Sequence, residues 1–200
     1  MDIAASAHAA APTAAPAQAF DVVVQAVTPM SKVMELPDLA PLAVVAWAAV
    51  AVGWLLLQAA RQVRFLAALG RLTRLEGDGL LYRTARHDFG PALVGALAPK
   101  VVLPADFAER FSPEQQACVV AHERAHQRGG HAQTNLAVVL FQAICWFNPM
   151  VHLGARLLRV DQELACDAVV VERHPSARRA YAEAMLVLQS APVAPPLGCH

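Results

Sequence analysis

Two histidines and a glutamate near the middle of the chain form the most informative spacing in the sequence. His122-Glu123-x-x-His126 places two imidazoles four residues apart, and residues at that spacing project from one face of a helix. Both rings can therefore bind one metal ion, and Glu123 lies beside that face, where it can act as a general base. This pattern is typical of zinc-dependent peptide hydrolysis, and a chance match somewhere in this chain has a probability of about 1 %.

The flanking residues predict that this motif lies on a well-defined helix. Ser112 is a candidate N-cap, Pro113 suits the first helical position, and Gln115 can complete a capping box. Gly129-Gly130 is a natural stop. We therefore expect a helix from Ser112 to about Gly130.

A catalytic zinc ion needs a third protein ligand besides two histidines. His131 does not supply it in the extended H-E-x-x-H-x-x-G-x-x-H pattern, because that pattern requires histidine at position 132, which is Ala132. The other route is a glutamate from a later helix. Glu163 and Asp167 share one face of a helix predicted from about 149 to 173. The simplest assignment makes Glu163 the ligand and Asp167 the acceptor for a ligand histidine N–H.

The spacing of these carboxylates leaves a second interpretation open. On a solvated helix, acidic side chains pair with nearby arginines three or four residues away. On this interpretation Asp161, Glu163 and Asp167 pair with Arg156 and Arg159, and Glu163 lies four residues after Arg159. The apolar run from Leu136 to Phe147 is shorter than a bilayer span, which favours a core or interfacial helix over a second transmembrane helix.

A long uncharged segment precedes the motif. Leu39–Ala60 holds 22 residues without a charge, about 33 Å of helix, which is close to the thickness of a bilayer's hydrocarbon core. Residues 1–38 carry Lys32 and four acidic side chains, whereas Arg61, Arg64, Arg71 and Arg74 follow the segment. Because positive residues favour the cytoplasmic side, we expect residues after 60 to lie in the cytoplasm.

The remaining pattern predicts an α+β domain. Residues 61–75 extend the apolar helix until Glu76-Gly77-Asp78-Gly79 breaks it. Short apolar pieces at 80–83, 92–98 and 101–103 indicate strands, and a last helix is expected at about 176–190. The predicted organisation is an Ala/Pro-rich extracytoplasmic arm (1–38), a transmembrane helix (39–60), a domain (61–190) and a Pro-rich tail (191–200).

Composition excludes several classes of protein. The chain has 200 residues, no formal net charge, and 16 % charged residues against 56 % hydrophobic ones, which argues against disorder and against a highly charged nucleic-acid binder. The four cysteines (Cys118, Cys145, Cys166 and Cys199) contain no C-x-x-C pair, so we expect separate reduced thiols.

Four segments together resemble the integral-membrane metallopeptidases of the BlaR/MecR antirepressor type, a gluzincin family. They are GPALVGALAPKVVLP (90–104), SPEQQACVVAHERAHQRGGH (112–131), WFNPMVHLGARLLRVDQELACD (146–167) and Tyr181-Ala-Glu-Ala. The resemblance implies a zincin-like fold, in which a small sheet accompanies the H-E-x-x-H helix and a Glu-bearing helix. It also implies Zn²⁺ held by His122, His126 and Glu163, with Glu123 as catalytic base and Asp167 as orienting group.

The same resemblance implies a function. It indicates a zinc endopeptidase in the bacterial inner membrane that acts on protein substrates at the cytoplasmic face, with a transcriptional repressor as one substrate class. A non-proteolytic membrane scaffold and a housekeeping protease are the alternatives. The expected partners are a peptide substrate and the lipid bilayer, without direct nucleic-acid binding, and a homodimer is left open. An oxyanion donor is expected, and His152, His174 and Tyr181 are available for that role.

Overall fold

The computed structural model of the chain describes residues 38–75, 77 and 79–189. The predicted arm (1–38), apart from Asp38, and the predicted tail (191–200), which includes Cys199, lie outside the described residues. The chain divides into two units, residues 1–41 and 42–200, and the first unit is described only at residues 38–41. The three described cysteines, Cys118, Cys145 and Cys166, form no disulfide with one another.

Helix α1 (Ala40–Leu69) contains the uncharged segment and is long and apolar enough to cross a membrane. Its 30 residues correspond to about 45 Å. The Asp38 side chain accepts a hydrogen bond from the Ala40 backbone N–H at its start. Most of its large apolar side chains are exposed, including Leu42, Val45 and Leu56. An exposed apolar surface of this length is typical of a helix that faces lipid.

The helix ends earlier than the sequence pattern predicts. It continues past Ala60 as expected but stops at Leu69, because Gly70 takes a left-handed conformation (φ 68°) that terminates a helix. Leu72–Arg74 then forms strand β1 and pairs with the next strand. The prediction of helix through residue 75 was therefore wrong for these last residues.

A four-stranded sheet follows, and three of its strands overlap the three predicted pieces, although residues 95–98 of the predicted piece 92–98 lie outside the strand. Strands β1, β2 (Leu81–Thr84), β3 (Ala92–Val94) and β4 (Lys100–Leu103) are arranged in the order β1-β2-β4-β3. The β2–β4 pair is parallel, and the β1–β2 and β3–β4 pairs are antiparallel. Strand β3 is thus an edge strand.

The remaining elements are helical, and they confirm the predicted α+β class. They are α2 (Phe107–Arg110), α3 (Pro113–Arg128), α4 (His131–Ile144), α5 (Pro149–Arg173), a 3₁₀ turn (Pro175–Ala177) and α6 (Arg178–Gln189).

The sheet has two buried faces. On one face Leu93, Val101 and Leu103 pack with Val119 of α3 and Ala184 of α6. On the other face Ala92, Val94 and Val102 pack against Phe65 and Leu69 at the end of α1. The sheet therefore fixes the motif helix relative to the carboxyl-terminal part of α1.

Helix α5 packs on the domain through small and polar side chains. Its buried residues are Ala155, Gln162, Cys166 and Val170. A row of mostly large apolar side chains on the same helix is exposed. It comprises Leu153, Leu157, Val160, Leu164 and Ala168.

Candidate metal centre

Helix α3 carries the motif and begins as the sequence predicts. The Ser112 side chain accepts a hydrogen bond from the Gln115 backbone N–H, and the Gln115 side chain accepts one from the Ser112 N–H. This capping box satisfies two N–H groups that would otherwise lack partners. Cys118 and Val119 anchor the helix in the core. The helix is thus held at its start and along its buried side.

His122, Glu123 and His126 all lie buried on α3. The Nε2 atoms of the two histidines are 3.0 Å apart and turn toward the same space. Helix α5 places Glu163 against them: its Oε2 is 3.4 Å from His122 Nε2, and its Oε1 is 3.6 Å from His126 Nε2. The three side chains from two helices therefore offer one set of converging donor atoms.

These donors fit a tetrahedral metal ion. Two nitrogen ligands on a zinc ion lie about 3.3 Å apart, close to the observed separation of the two Nε2 atoms. Glu163 Oε1 is buried and has no hydrogen-bond partner in the described part of the chain. An ion at the centre of the three side chains would satisfy this oxygen. Two imidazoles and a carboxylate are also the ligand set of several catalytic zinc sites.

A second layer of hydrogen bonds lies behind His122. Its Nδ1 atom is 3.1 Å from Asp167 Oδ1 and 2.7 Å from the Tyr181 hydroxyl oxygen. The Tyr181 hydroxyl donates to Asp167 Oδ1 at 2.5 Å. Asp167 and Tyr181 thus hold the Nδ1 side of the ring, which leaves Nε2 facing Glu163.

The charges around His122 change its protonation. Burial lowers the pKa of His122, but the hydrogen bonds with Asp167 and Glu163 outweigh burial and raise the pKa to about 9. Burial raises the pKa of the Glu163 carboxyl, yet His122 and His126 hold it well below its usual range. Burial and the Asp167 carboxylate together raise the pKa of Tyr181. Without a metal ion, the site at neutral pH therefore contains a protonated His122 between two carboxylates.

The stability of the metal-free protein should consequently decrease between about pH 6.5 and pH 9. The folded-state pKa of His122 lies above its unfolded value of about 6.5, so its contribution is complete below that pH and is lost as the pH rises through about 9. Thermal unfolding in detergent with a chelator, measured across this range, tests the expectation. In His122→Gln the decrease should be smaller, and an equal decrease in parent and variant would contradict this account.

His126 also has a polar partner on its far side. Its Nδ1 atom is 2.8 Å from His131 Nδ1, at the first residue of α4. Cys166 Sγ is 3.7 Å from the same atom of His131. His126, His131 and Cys166 can together hold a metal. However, His126 would then bind one ion through Nε2 and a second ion through Nδ1. A hydrogen bond between His131 and His126 that orients the His126 ring is the simpler interpretation.

Comparison with known proteins tests the family that the sequence predicts. The sequence pattern of the family described as "BlaR1 peptidase M56" matches residues 2–200. The chain belongs to this family. The fold class and the family predicted from the sequence are thereby confirmed.

Two matched relatives are curated proteins of this family type. The chain is 29 % identical over 82 residues to the "Regulatory protein BlaR1" of Bacillus licheniformis, which covers 41 % of this chain and 14 % of the relative. It is 28 % identical over 99 residues to the "Methicillin resistance mecR1 protein" of Staphylococcus aureus, covering 48 % of this chain and 17 % of the relative. The matched segment thus spans less than a fifth of the length of each relative.

The structure brings together four of the side chains that the sequence singled out: His122, His126 and Glu163 converge, and Asp167 contacts His122. The fifth, Glu123, is buried on α3 next to His122 in the sequence. Glu163 and Asp167 thus lie against the motif helix instead of being paired only along a solvated α5. Their catalytic and metal-binding roles stay predictions.

Sequence reasoning missed two residues of this centre. Tyr181 was part of a segment that carries the family resemblance, and the one role considered for it was that of an oxyanion donor, but its hydroxyl contacts both His122 and Asp167. His131 was considered and rejected as a ligand, but it contacts the Nδ1 atom of His126. Tyr181 lies 59 residues from His122, so no local spacing could have indicated this contact. For His131, the adjacent glycines were a usable signal. A Cβ on Gly129 would lie 2.5 Å from His131 Nε2, so the ring needs a glycine there.

Proposed function

We propose that this protein is a membrane-anchored zinc endopeptidase that acts on protein substrates at the cytoplasmic face. The observation that carries the proposal is the convergence of His122, His126 and Glu163 from α3 and α5, with Glu123 buried on the same helix. The family, whose description is that of a peptidase, supports the hydrolytic class. The relatives named for regulation and for methicillin resistance support a signalling role. The substrate class in this proposal is a transcriptional repressor.

The chemistry divides between the ion and the protein. A bound zinc ion supplies Lewis acidity, which activates water and polarises the scissile carbonyl. Glu123 accepts a proton from the attacking water and delivers it to the leaving amine. Asp167 and Tyr181 hold the His122 ring so that its Nε2 atom faces the centre.

Strand β3 is the element best placed to bind the substrate. It pairs with β4 on one side only and contacts α3, the helix that carries the motif. An extended peptide can add to such an edge through backbone hydrogen bonds. We therefore propose that the substrate lies antiparallel or parallel to β3, with its scissile bond beside Glu123.

The proposed orientation rests on charge. The cluster Arg61, Arg64, Arg71 and Arg74 follows the apolar part of α1, whereas acidic residues dominate before it. This asymmetry favours a cytoplasmic location for the sheet and the metal centre. The proposed location is the bacterial inner membrane.

The test of this function combines metal content with turnover. The protein purified in detergent should contain one zinc ion per chain and should cleave a candidate transcriptional repressor. A mixture of internally quenched peptides of random sequence serves as a second substrate. One zinc ion without cleavage of either substrate would contradict the peptidase function and would favour a scaffold. Absence of zinc would contradict the metal centre itself.

Displacing the His131 ring should weaken zinc binding by about 10–100-fold. This is the usual effect of losing the residue that hydrogen-bonds a zinc-binding histidine. Two changes reach this outcome by different routes. His131→Ala removes the ring, and Gly129→Ala adds a Cβ that would lie 2.5 Å from it, at a backbone conformation that alanine accepts (φ −73°). Competition with a chromophoric chelator measures the affinity.

Cys166→Ser is the matched control for that measurement, because Cys166 Sγ lies 3.7 Å from His131 Nδ1 but Cys166 is not one of the three proposed ligands. It should change the affinity less than His131→Ala does. If Cys166→Ser weakened zinc binding more strongly than His131→Ala, the metal would be held by the other trio of residues. Equal affinity in the parent and in both His131 and Gly129 variants would contradict the orienting role.

A further inference from the structure

The hairpin formed by α4 and α5 lies beside the membrane-crossing part of α1, although it belongs to the peptidase domain. The Trp47 indole N–H donates a hydrogen bond to the Ile144 carbonyl oxygen at 2.9 Å. The Trp54 ring meets His152 edge-on, with 5.6 Å between the ring centroids. Both tryptophans lie inside the uncharged segment of α1. The hairpin tip is therefore level with the part of α1 that would cross the bilayer.

The depth of these contacts follows from helix geometry. Trp47 lies 13 residues before Ala60, where the uncharged segment ends. At 1.5 Å per residue this is about 20 Å, which exceeds half of a hydrocarbon core of about 30 Å. Helix α4 runs over a similar length from His131 to Ile144.

The composition of the hairpin suits this depth. No Asp, Glu, Lys or Arg occurs between Arg128 and Arg156. Six large apolar side chains of this stretch are nevertheless exposed in the folded chain. They are Leu140, Phe141, Ile144, Phe147, Met150 and Leu153. A continuous exposed apolar surface of this kind needs a partner that excludes water.

Several polar groups at the tip are hydrogen-bonded within the protein, whereas the buried indole N–H of Trp146 has no hydrogen-bond partner in the described residues. The Asn148 side chain accepts a hydrogen bond from the Met150 N–H at the start of α5. His152 Nε2 donates to the Trp146 carbonyl oxygen, and its Nδ1 accepts from the Gln142 amide. Trp47 caps one of the last carbonyls of α4. Lipid cannot supply such hydrogen bonds, so internal partners are what a turn at bilayer depth requires.

We propose that residues 132–155 form a re-entrant helical hairpin that enters the bilayer from the same side as the sheet and is covered by lipid acyl chains. The continuity of its apolar surface with α1, the absence of charge and the internally bonded turn favour lipid over a water-exposed surface. The proposal rests on the proposed membrane anchoring by α1. Because α4 and α5 both extend to the metal centre, a re-entrant hairpin would place that centre close to the membrane surface.

Spin-label accessibility in vesicles of phosphatidylethanolamine and phosphatidylglycerol tests this proposal. Cys145 and Cys199 are replaced by alanine in the full-length chain, and single labels are attached at Phe147→Cys or Met150→Cys. Both parent side chains are about two-thirds exposed (65 % and 66 %), so the labels need no repacking. Val45→Cys on α1 is the matched lipid control (64 % exposed), and Leu186→Cys on α6 is the matched aqueous control (68 % exposed).

Oxygen dissolves in lipid, whereas a nickel chelate stays in water, so their collision rates report the environment of each label. The ratio of oxygen to nickel accessibility at Phe147 and Met150 should approach that at Val45 and exceed that at Leu186 several-fold. A ratio equal to that at Leu186 would overturn the proposal in favour of a solvated hairpin. Shielding from both reagents would overturn it in favour of a covering protein, such as a second copy of the chain. A low ratio at Val45 would instead contradict the membrane anchor, and with it the proposed location.

Discussion

Replacing Glu123 by glutamine should leave zinc bound and reduce peptide cleavage by about 10²–10⁴-fold, the usual contribution of a general base. The carboxylate is buried on α3, and glutamine preserves its shape while removing its ability to accept a proton. Because Glu123 is not one of the three converging donors, the metal content should not change. Cleavage of the quenched peptide mixture and zinc analysis of the same preparation measure the two quantities.

Glu114→Gln is the matched control for this change. Glu114 lies on the same helix but is exposed in its first turn, away from the metal centre. Its substitution should leave both zinc content and cleavage near the parent values. If Glu123→Gln cleaved peptides as fast as the parent, Glu123 would not be the base. Loss of zinc in Glu123→Gln would indicate that the residue binds or supports the ion directly.

Replacing Glu163 by glutamine should weaken zinc binding by more than about 100-fold. This loss is larger than the usual one from removing a residue that only hydrogen-bonds a zinc ligand. Glu163 supplies the only carboxylate of the converging trio, and a neutral amide is a much poorer zinc ligand. Cleavage should fall with the bound zinc and should recover in part when zinc is added in excess. Chelator competition and activity at several zinc concentrations separate these effects.

Asp161→Asn is the matched control, since it removes an exposed carboxylate two residues earlier on α5. Its zinc affinity should equal that of the parent. Equal zinc affinity in Glu163→Gln and Asp161→Asn would contradict the assignment of Glu163 as the third ligand. It would also revive the interpretation of these carboxylates as members of a solvated helix face.

Local signals in the sequence predicted much of this protein. The capping residues Ser112, Pro113 and Gln115 fixed the start of the motif helix, and the structure has the same start. The four-residue spacing of His122 and His126 placed both rings on one face, because that relation depends only on helix geometry. The strands between Leu80 and Leu103 were also indicated by short apolar runs between Gly and Pro residues.

The error at the end of α1 shows where local reasoning failed. The apolar spacing of residues 61–75 fits a helix throughout, yet Gly70 ends the helix and Leu72–Arg74 pairs with β2. The hydrogen bonds of that pairing come from residues about ten positions away. The spacing within one segment therefore does not show whether its residues stay helical or pair with a strand from another part of the chain.

The sequence by itself determined the motif helix, the uncharged segment and the asymmetry of charge around it, and it predicted the candidate ligands. Only the tertiary structure decided that Glu163 approaches the two histidines and that Tyr181 and His131 support them from behind. It also decided that the α4–α5 hairpin lies beside Trp47 and Trp54. Spacing within a helix is set by bond geometry, whereas contacts between helices depend on how the whole core packs.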